Sequence, residues 1–322
     1  MIRVVDFFSG IGGFTVGARA AGASVRLAVN HDRTALDWHA ANHPDIEHEC
    51  QDLSELDMRS LPDFDVLVAS PECQGFTPSG QPGRATPATP SKLRREGRRR
   101  RARSTCYAVL AAADVCRPAA IVVENVPLFL KWAAFPAWRS MLEAHGYAVT
   151  EHLVTASDFG GASERRRAII LASQAGPLEL RPPATRRRTI GDCLLADDDP
   201  RHCWRDVDSL LSTSKAGSMR DRIRRAQERT ARRIVWANVD SARGRQMDEH
   251  FATFTTRSSS QTYLVDGDRA RMLDPRELAR GMSFPETTKL PSSRALAGRL
   301  IGNAIDCRVA AAAVGQVARQ LQ

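Results

Sequence analysis

The sequence predicts an α/β fold in which helices cover a mostly parallel sheet, with a second, smaller domain. Two observations predict it. Short apolar runs alternate with helical stretches from the N-terminus to Ala172, and this alternation is typical of parallel sheets. After Pro182 and Pro183 the chain becomes polar and rich in arginine. We therefore expect a sheet domain made of residues 1–194 and 271–322, and a separate domain made of residues 195–270.

The composition narrows the class of protein. The chain has 322 residues, of which 43% are hydrophobic, as expected for a globular protein. No apolar run approaches the length of a membrane span. Seven cysteines are scattered, without a C-x-x-C pair or zinc spacing. We expect reduced thiols in a cytoplasmic protein, with no structural metal and no membrane.

The first predicted strand, residues 2–8, runs into a glycine-rich turn, Ser9-Gly10-Ile11-Gly12-Gly13, and then a helix. This arrangement lets backbone N–H groups approach a ligand closely. The turn is not a P-loop, because no Gly-Lys-Ser/Thr follows, and it lacks the full G-x-G-x-x-G fingerprint. By itself, this motif is equally compatible with a cofactor site and with a simple tight turn.

Polar residues follow the next two strands. Residues 25–29 form the second strand and end at Asn30, while Asp52 lies near the end of a short third strand. In nucleotide-binding folds, a polar group after the second strand holds a ribose hydroxyl.

A fourth apolar run, residues 64–69, leads directly into Ser70-Pro71-Glu72-Cys73-Gln74-Gly75-Phe76. Cys73 therefore lies just past the carboxyl end of a strand, where open α/β sheets bind their ligands. A cysteine there is either a nucleophile or a small buried apolar residue, and the second is more common.

The fifth strand, residues 119–123, ends at Glu124. A carboxylate directly after an apolar run is costly to bury without a partner. This position favours a site residue over a helix cap or a solvated loop acid. Further along, Arg165-Arg166-Arg167 precede another apolar strand, residues 168–172.

Most of the positive charge lies in one tract behind Cys73. Residues 92–103 carry a net +7 of the chain's formal +9. Such tracts usually mark a polyanionic partner, most often nucleic acid. The alternative is a solvated loop without a partner. We expect a mobile loop here.

Six motifs, in order along the chain, resemble those of the DNA cytosine-C5 methyltransferases. They match the family's cofactor motif, catalytic loop, Glu-Asn-Val motif, double-arginine motif, pre-recognition motif and closing segment. In this sequence they are residues 6–14, 71–76, 124–126, 165–167, 188–192 and 273–285 with 302–305. The resemblance implies a Rossmann-like class I methyltransferase sheet, with residues 195–270 as a target-recognition domain.

Three positions depart from the family pattern. Glu72 replaces the second proline of the catalytic loop, and a carboxylate there disfavours the thiolate unless its charge is neutralised. Ser163 replaces a glutamine. Asn30 replaces an acidic residue and is a weaker, neutral acceptor for a ribose hydroxyl.

The resemblance implies roles for the remaining residues. Cys73 would add to C6 of cytosine, Glu124 would donate a proton near N3, Arg167 would hold O2, and Arg165 would orient its neighbours. S-adenosylmethionine would be the methyl donor. Its expected binding residues are Phe8, Gly10, Gly12, Gly13, Asn30, Asp52, Pro71 and Asn303.

A cytosine inside a duplex must be flipped out before the thiol can reach it. Arg98, Arg99, Arg100 and Arg101 would bind the phosphates of double-stranded DNA. We expect a monomer that acts on DNA at the nucleoid, with a cognate restriction endonuclease as a candidate partner. Two alternatives stay open, a tRNA cytosine-C5 methyltransferase and a catalytically silent DNA-binding regulator on the same fold.

Overall fold

The computed structural model describes residues 1–76, 90–210, 216–229, 231–237, 244–258 and 262–322. The chain forms two compact units. The first comprises Met1–Val154, Arg166–Pro182 and Val309–Gln322, and the second comprises Thr155–Arg165 and Pro183–Arg308.

The first unit is built on a seven-stranded sheet. Its strands are β1 (Arg3–Phe7), β2 (Ser24–Val29), β3 (Glu47–Glu49), β4 (Val66–Ala69), β5 (Ala120–Asn125), β6 (Ala148–Thr155) and β7 (Arg166–Ser173). They lie in the order β3-β2-β1-β4-β5-β7-β6. The pairs from β3 to β5 are parallel, whereas β7 runs antiparallel to β5.

The strand register brings four strand ends to one edge of this sheet. Phe7 of β1 lies opposite Val29 of β2 and Ala69 of β4, and Ala69 lies opposite Val123 of β5. Because these strands are parallel, the residues that follow them meet at the same edge. Strand order reverses beside β1, and such a switch point is where α/β sheets bind ligands.

Helices flank this sheet. They are α1 (Gly13–Ala20), α2 (Arg33–Asn42), α3 (Pro90–Ser104), α4 (Tyr107–Val115) and α5 (Phe135–Ala144). Helix α2 begins where the Asp32 carboxylate accepts a hydrogen bond from the Ala35 N–H. Trp138 of α5 is buried, and its indole donates to the Cys106 carbonyl at 3.0 Å.

The second unit contains a four-stranded sheet in the order β8-β11-β10-β9. The strands are β8 (Arg205–Asp206), β9 (Arg233–Ala237), β10 (Thr262–Asp266) and β11 (Arg269–Met272), and all of the pairs are antiparallel. The helices are α6 (Val207–Leu210), α7 (Ala216–Arg229), α8 (Pro275–Gly281) and α9 (Arg294–Asn303). Ile223 of α7 packs with Trp236 and Val265 in a small core.

The last helix, α10 (Cys307–Leu321), begins in the second unit and continues into the first. Within the first unit its backbone lies directly against α1. A Cβ atom added at Gly17 would lie 2.4 Å from the Cβ of Ala310. Glycine is therefore required at position 17 for this close approach.

The predicted α/β fold class is confirmed, but the prediction of a mobile loop for residues 92–103 is wrong. These residues lie within helix α3. Arginine is a good helix former, and the Glu96 carboxylate lies 3.6–3.7 Å from the side chains of Arg99, Arg100 and Arg103. Such pairs one turn apart support a helix even where apolar residues are scarce.

Candidate active site

The loop that carries Cys73 is fixed to the sheet edge on both sides. The Ser70 N–H donates to the Phe7 carbonyl at 3.2 Å, and the buried Asn125 amide donates to the Pro71 carbonyl at 3.1 Å. Residues Cys73–Gly75 then form a 3₁₀ turn. Cys73 is half-buried and has a free thiol.

Glu124 and Arg167 meet across two neighbouring strands. Glu124 of β5 lies opposite Ile169 of the antiparallel strand β7. The Arg167 Nε lies 2.8 Å from the Glu124 Oε1, and the two side chains are 14% and 7% exposed. Oε1 has no well-aligned hydrogen bond within the part of the chain that the structure describes. The carboxyl group is thus buried beside one cation and keeps hydrogen-bonding capacity for a ligand.

Arg165 lies in the second unit, although it is only two residues from Arg167. It is 3% exposed. Its Nη1 donates to the Phe254 carbonyl at 3.0 Å and its Nη2 to the Ala304 carbonyl at 2.7 Å. These bonds connect two segments of that unit that are distant in sequence. Arg165 therefore stabilises the backbone of the second unit.

The turn after β1 has an unusual backbone. Phe8, Gly10 and Gly12 have φ angles of 60°, 56° and 100°. Residues other than glycine rarely adopt a positive φ angle, and one that does often lies at a functional site. A Cβ atom added at Gly12 would lie 2.7 Å from the His43 Nε2. Gly12 directly precedes α1, whose first residue is the buried Gly13.

A buried polar chain lies beneath this turn. The Thr15 hydroxyl donates to the Asp6 Oδ2 at 2.8 Å and lies 3.0 Å from the His39 Nε2. The His39 Nδ1 lies 2.8 Å from the His48 Nε2. Burial raises the pKa of Asp6 to about 7 and lowers the pKa values of His39 to about 2 and of His43 to about 4. These groups are therefore favoured in their neutral forms.

Asn30 and Asp52 lie where the sequence predicted polar groups. The Asn30 Oδ1 accepts from the Asp32 N–H at 2.9 Å, so its amide N–H group remains the natural contact for a ribose hydroxyl. The Asp52 Oδ1 accepts from the N–H and hydroxyl of Ser54 at 3.0 and 2.8 Å. These bonds lower the pKa of Asp52, which keeps an ionised acceptor beside the sheet edge.

Asn303 ends helix α9 in the second unit and is exposed. The neighbouring Gly302 is confined, because a Cβ there would lie 2.4 Å from the Thr255 carbonyl oxygen. The structure thus brings the predicted residues of the first unit to one edge, whereas Arg165 and Asn303 are placed within the second unit.

Three contacts around Cys73 were not foreseen from the sequence. The Glu72 N–H donates to the Thr105 Oγ1 at 3.1 Å, a bond that proline could not make. The His31 Nε2 lies 3.7 Å from the Glu72 Oε1, which offers this carboxylate a cationic partner when the imidazole is protonated. Asn125 anchors the loop through Pro71. Only Asn125 had a usable signal, since it directly follows Glu124.

Helix α3 is attached directly to the Cys73 loop. The Arg103 Nε donates to the Gly75 carbonyl at 3.1 Å. A Cβ added at Gly75 would lie 2.6 Å from the Arg103 Cγ and 3.0 Å from the Arg99 carbonyl oxygen. Arg98, Arg100 and Arg101 are exposed. The charged helix and the loop with Cys73 therefore form one packed element.

Two classes of feature are not found in the described ranges. No group of three or more His, Cys, Asp or Glu side chains could hold a metal ion there. Among the same residues, no helix is both long and apolar enough to cross a membrane.

Comparisons with known proteins show which family this chain resembles. The C-5 cytosine-specific DNA methylase family matches residues 2–319. The type II methyltransferase M.NlaX of Neisseria lactamica is 26% identical, over 95% of this chain and 92% of its own length. M.HhaI of Haemophilus parahaemolyticus is 22% identical, over 94% and 90%.

Solved structures share the fold. The S. pombe Dnmt2 methyltransferase has a TM-score of 0.69 at 20% identity, with 100% of this chain and 99% of that one covered. The Entamoeba histolytica methyltransferase EhMeth has a TM-score of 0.68 at 17% identity, with 100% and 98% covered. With a family match across nearly its whole length, the chain belongs to the C-5 cytosine-specific DNA methylases, a family of methyl-transferring enzymes.

Proposed function

We propose that this protein transfers a methyl group to C5 of a cytosine flipped out of double-stranded DNA, through a covalent bond between Cys73 and C6. The observation that carries the proposal is the shared sheet edge. There, the Asn125–Pro71 hydrogen bond places the Cys73 loop beside the strand that bears the buried Glu124–Arg167 pair.

The chemistry needs a nucleophile because C5 of cytosine is too electron-poor to accept a methyl group unaided. The Cys73 thiolate adds to C6, and the electron pair of the C5–C6 double bond moves toward C5 and the ring. Glu124 donates a proton to N3, and Arg167 donates hydrogen bonds to O2. Both contacts stabilise the charge that builds up on the ring.

After C5 is methylated, Glu124 takes back the proton from N3 and a base removes the C5 proton. The electrons of that C–H bond re-form the C5–C6 double bond, and Cys73 leaves with its bonding pair. The ring regains its aromaticity and the thiolate returns to its starting state.

We infer that S-adenosylmethionine is the methyl donor, and the first unit fits it. The non-glycine residue Phe8 has a positive φ of 60° beside the sheet edge, and Gly10 and Gly12 adopt positive φ without a side chain, so the backbone of this turn can approach a ligand closely. Pro71 and Gly13 would complete the wall, Asn30 would meet the ribose and Asp52 the adenine amino group. Asn303 is the residue proposed for the methionine end. When bound, the donor supplies an electrophilic methyl group.

DNA binding is assigned to two regions. The exposed arginines of α3 would neutralise phosphates and draw the Cys73 loop onto the flipped base. Residues 195–270 would recognise the target sequence, because their sheet and helix α7 are distinct from the seven-stranded sheet. The type II names of the relatives support a restriction-modification setting, with the protein acting as a monomer.

Base-resolution sequencing of 5-methylcytosine in DNA from expressing cells tests the reaction. We expect methylation at one sequence motif, abolished by Cys73→Ala and kept by Cys116→Ala, a matched loss of another half-buried thiol of the first unit. Residual methylation in Cys73→Ala would refute the nucleophile. A methylated RNA with unmethylated DNA would establish the tRNA-type alternative, and binding without product would establish a silent regulator.

A further inference from the structure

A small cationic cavity lies within the second unit, apart from the residues assigned to methyl transfer. Its volume is about 190 Å³, and it lies between the segment before β8 and the start of helices α8 and α9. Drug-sized ligands occupy cavities of roughly 300–1,000 Å³. The size therefore favours a single compact group over a whole nucleoside.

Four arginines line the cavity, and two of them have no carboxylate partner in the part of the chain that the structure describes. Arg201 is paired with Asp199 at 2.7 Å, and Arg271 is paired with Glu277 at 2.7 Å. Arg205 and Arg294 make no ion pair with any described residue. Arg294 donates a hydrogen bond through Nη1 to the Leu273 carbonyl. The positive charges of both guanidinium groups are not balanced by a carboxylate of the described residues, and their remaining N–H groups suit the oxygens of a tetrahedral anion.

Buried donors in the wall add a second, independent observation. The His202 side chain is 2% exposed, and its Nε2 lies 3.8 Å from the Glu277 Oε1, beyond hydrogen-bond distance. This nitrogen has no hydrogen-bond partner among the described residues. The Nε of Arg271, a residue that is 1% exposed, also lacks one. Buried polar atoms are rarely left unpaired in folded proteins. A ligand with acceptor oxygens would satisfy these atoms.

One carboxylate faces the same space. Asp274 lines the cavity, and its Oδ1 accepts from the Arg276 N–H at 2.8 Å as the cap of helix α8. Its charge opposes an anion, although its oxygen is engaged at the helix start. Asparagine also caps helices well, so this charge can be removed with little effect on the fold.

We propose that this cavity binds one phosphate group, held by Arg205, Arg294 and His202. The group could be a backbone phosphate of DNA or free phosphate, since both present the same oxygens. The proposal does not depend on the methyl-transfer chemistry.

The exposed Cys203 in the cavity wall is a built-in reporter. We would measure its alkylation by iodoacetamide in the whole protein, using peptide mass spectrometry, with Cys50 of the first unit as the internal control. At inorganic phosphate ten times above its dissociation constant, alkylation of Cys203 should slow about tenfold relative to chloride of equal ionic strength. Cys50 should not change.

Three variants make the test sharp. The double variant Arg205→Gln/Arg294→Gln should lose the protection. Asp274→Asn should reach the same protection at lower phosphate concentration. Arg181→Gln, which removes one exposed charge in the first unit, should behave like the parent. Equal alkylation in phosphate and chloride, or protection that survives the double variant, would overturn the proposal.

A DNA duplex identifies the source of the phosphate. If the cavity takes a backbone phosphate, the duplex should protect Cys203 and inorganic phosphate should compete with the duplex. If it takes free phosphate, inorganic phosphate alone should protect. Protection by the duplex without any protection by phosphate would mean that DNA covers Cys203 and leaves the cavity unfilled, and the proposal would fail.

Discussion

The buried carboxyl group of Asp6 makes the stability of the fold depend on pH near neutrality. Its pKa is raised from 3.8 to about 7 because the carboxyl is removed from water, and the hydrogen bonds from the hydroxyl and backbone of Thr15 offset this only in part. The folded state therefore favours the protonated form. Stability from this group is fully present below pH 3.8 and is lost as the pH rises toward 7.

Replacing Asp6 with asparagine removes this dependence, since the amide stays neutral and keeps an acceptor for Thr15. Each pKa unit is worth about 1.4 kcal/mol. Part of the destabilisation has already occurred at pH 4.5, because the unfolded carboxyl ionises near pH 3.8. From about pH 4.5 to about pH 8, the free energy of unfolding of Asp6→Asn should therefore rise by about 3 kcal/mol relative to that of the parent. Protonation of the histidines beneath the turn lowers the free energy of unfolding toward acidic pH in both proteins. Their contribution therefore cancels in this difference.

Urea unfolding of both proteins across this pH range measures the difference directly. Asp45→Asn is the matched control, because the pKa of this carboxyl is shifted in the opposite direction. The hydrogen bond from Arg19 lowers the pKa of Asp45, so the ionised form is favoured in the folded state. Stability from that charge is present above pH 3.8 and is lost only as the pH falls below it, so Asp45→Asn should differ from the parent by a nearly constant amount between about pH 4.5 and about pH 8. A difference between Asp6→Asn and the parent that stays constant with pH would refute the reasoning.

Three further predictions concern the proposed cofactor turn, the Cys73 loop and DNA binding. Gly12→Ala forces a side chain into positive φ, which should cost roughly 1–3 kcal/mol and weaken S-adenosylmethionine binding in calorimetry. Glu72→Pro removes the hydrogen bond to Thr105, so it should lower stability by about 1 kcal/mol and reduce the methylation rate. For Arg98→Gln/Arg101→Gln, the slope of the logarithm of the DNA association constant against the logarithm of salt concentration should become less negative by about 1.8.

Each of these has a control. Glu72→Gln keeps the N–H group, so equal losses in the two Glu72 variants would contradict the role given to Thr105. Gly146→Ala also places a side chain at positive φ, yet with no atom within 4 Å, and it should leave cofactor affinity intact. Arg181→Gln should keep the parent salt slope. If it changes the slope as much as the α3 variants do, the arginines of α3 have no special place in binding.

Local patterns were enough to predict the sheet and the position of Cys73. Strands β4 and β5 are short apolar runs bounded by polar residues, and parallel register alone brings their ends together. Helix α3 was missed because arginine-rich residues show no apolar periodicity. Glu96 forms ion pairs with Arg99 and Arg100, one helical turn away, and these pairs support the helix. The prediction of a loop did not take such pairs into account.

Contacts between distant residues could not be predicted from one sequence. Arg165 and Arg167 look equivalent along the chain. Yet one binds carbonyl groups 89 and 139 residues away, while the other pairs with Glu124. The contact of His31 with Glu72 likewise joins two loops. These contacts depend on how the chain folds in three dimensions, and the spacing of residues along the sequence does not predict it.

The interleaving of the two units has a consequence for biosynthesis. Residues 309–322 belong to the first unit, and their helix packs at close range on α1, directly after the glycine turn. A ribosome must therefore translate the whole second unit before the first can close. A nascent or prematurely terminated chain that lacks these residues would contain Cys73 and helix α3 but could not complete the packing of the first unit.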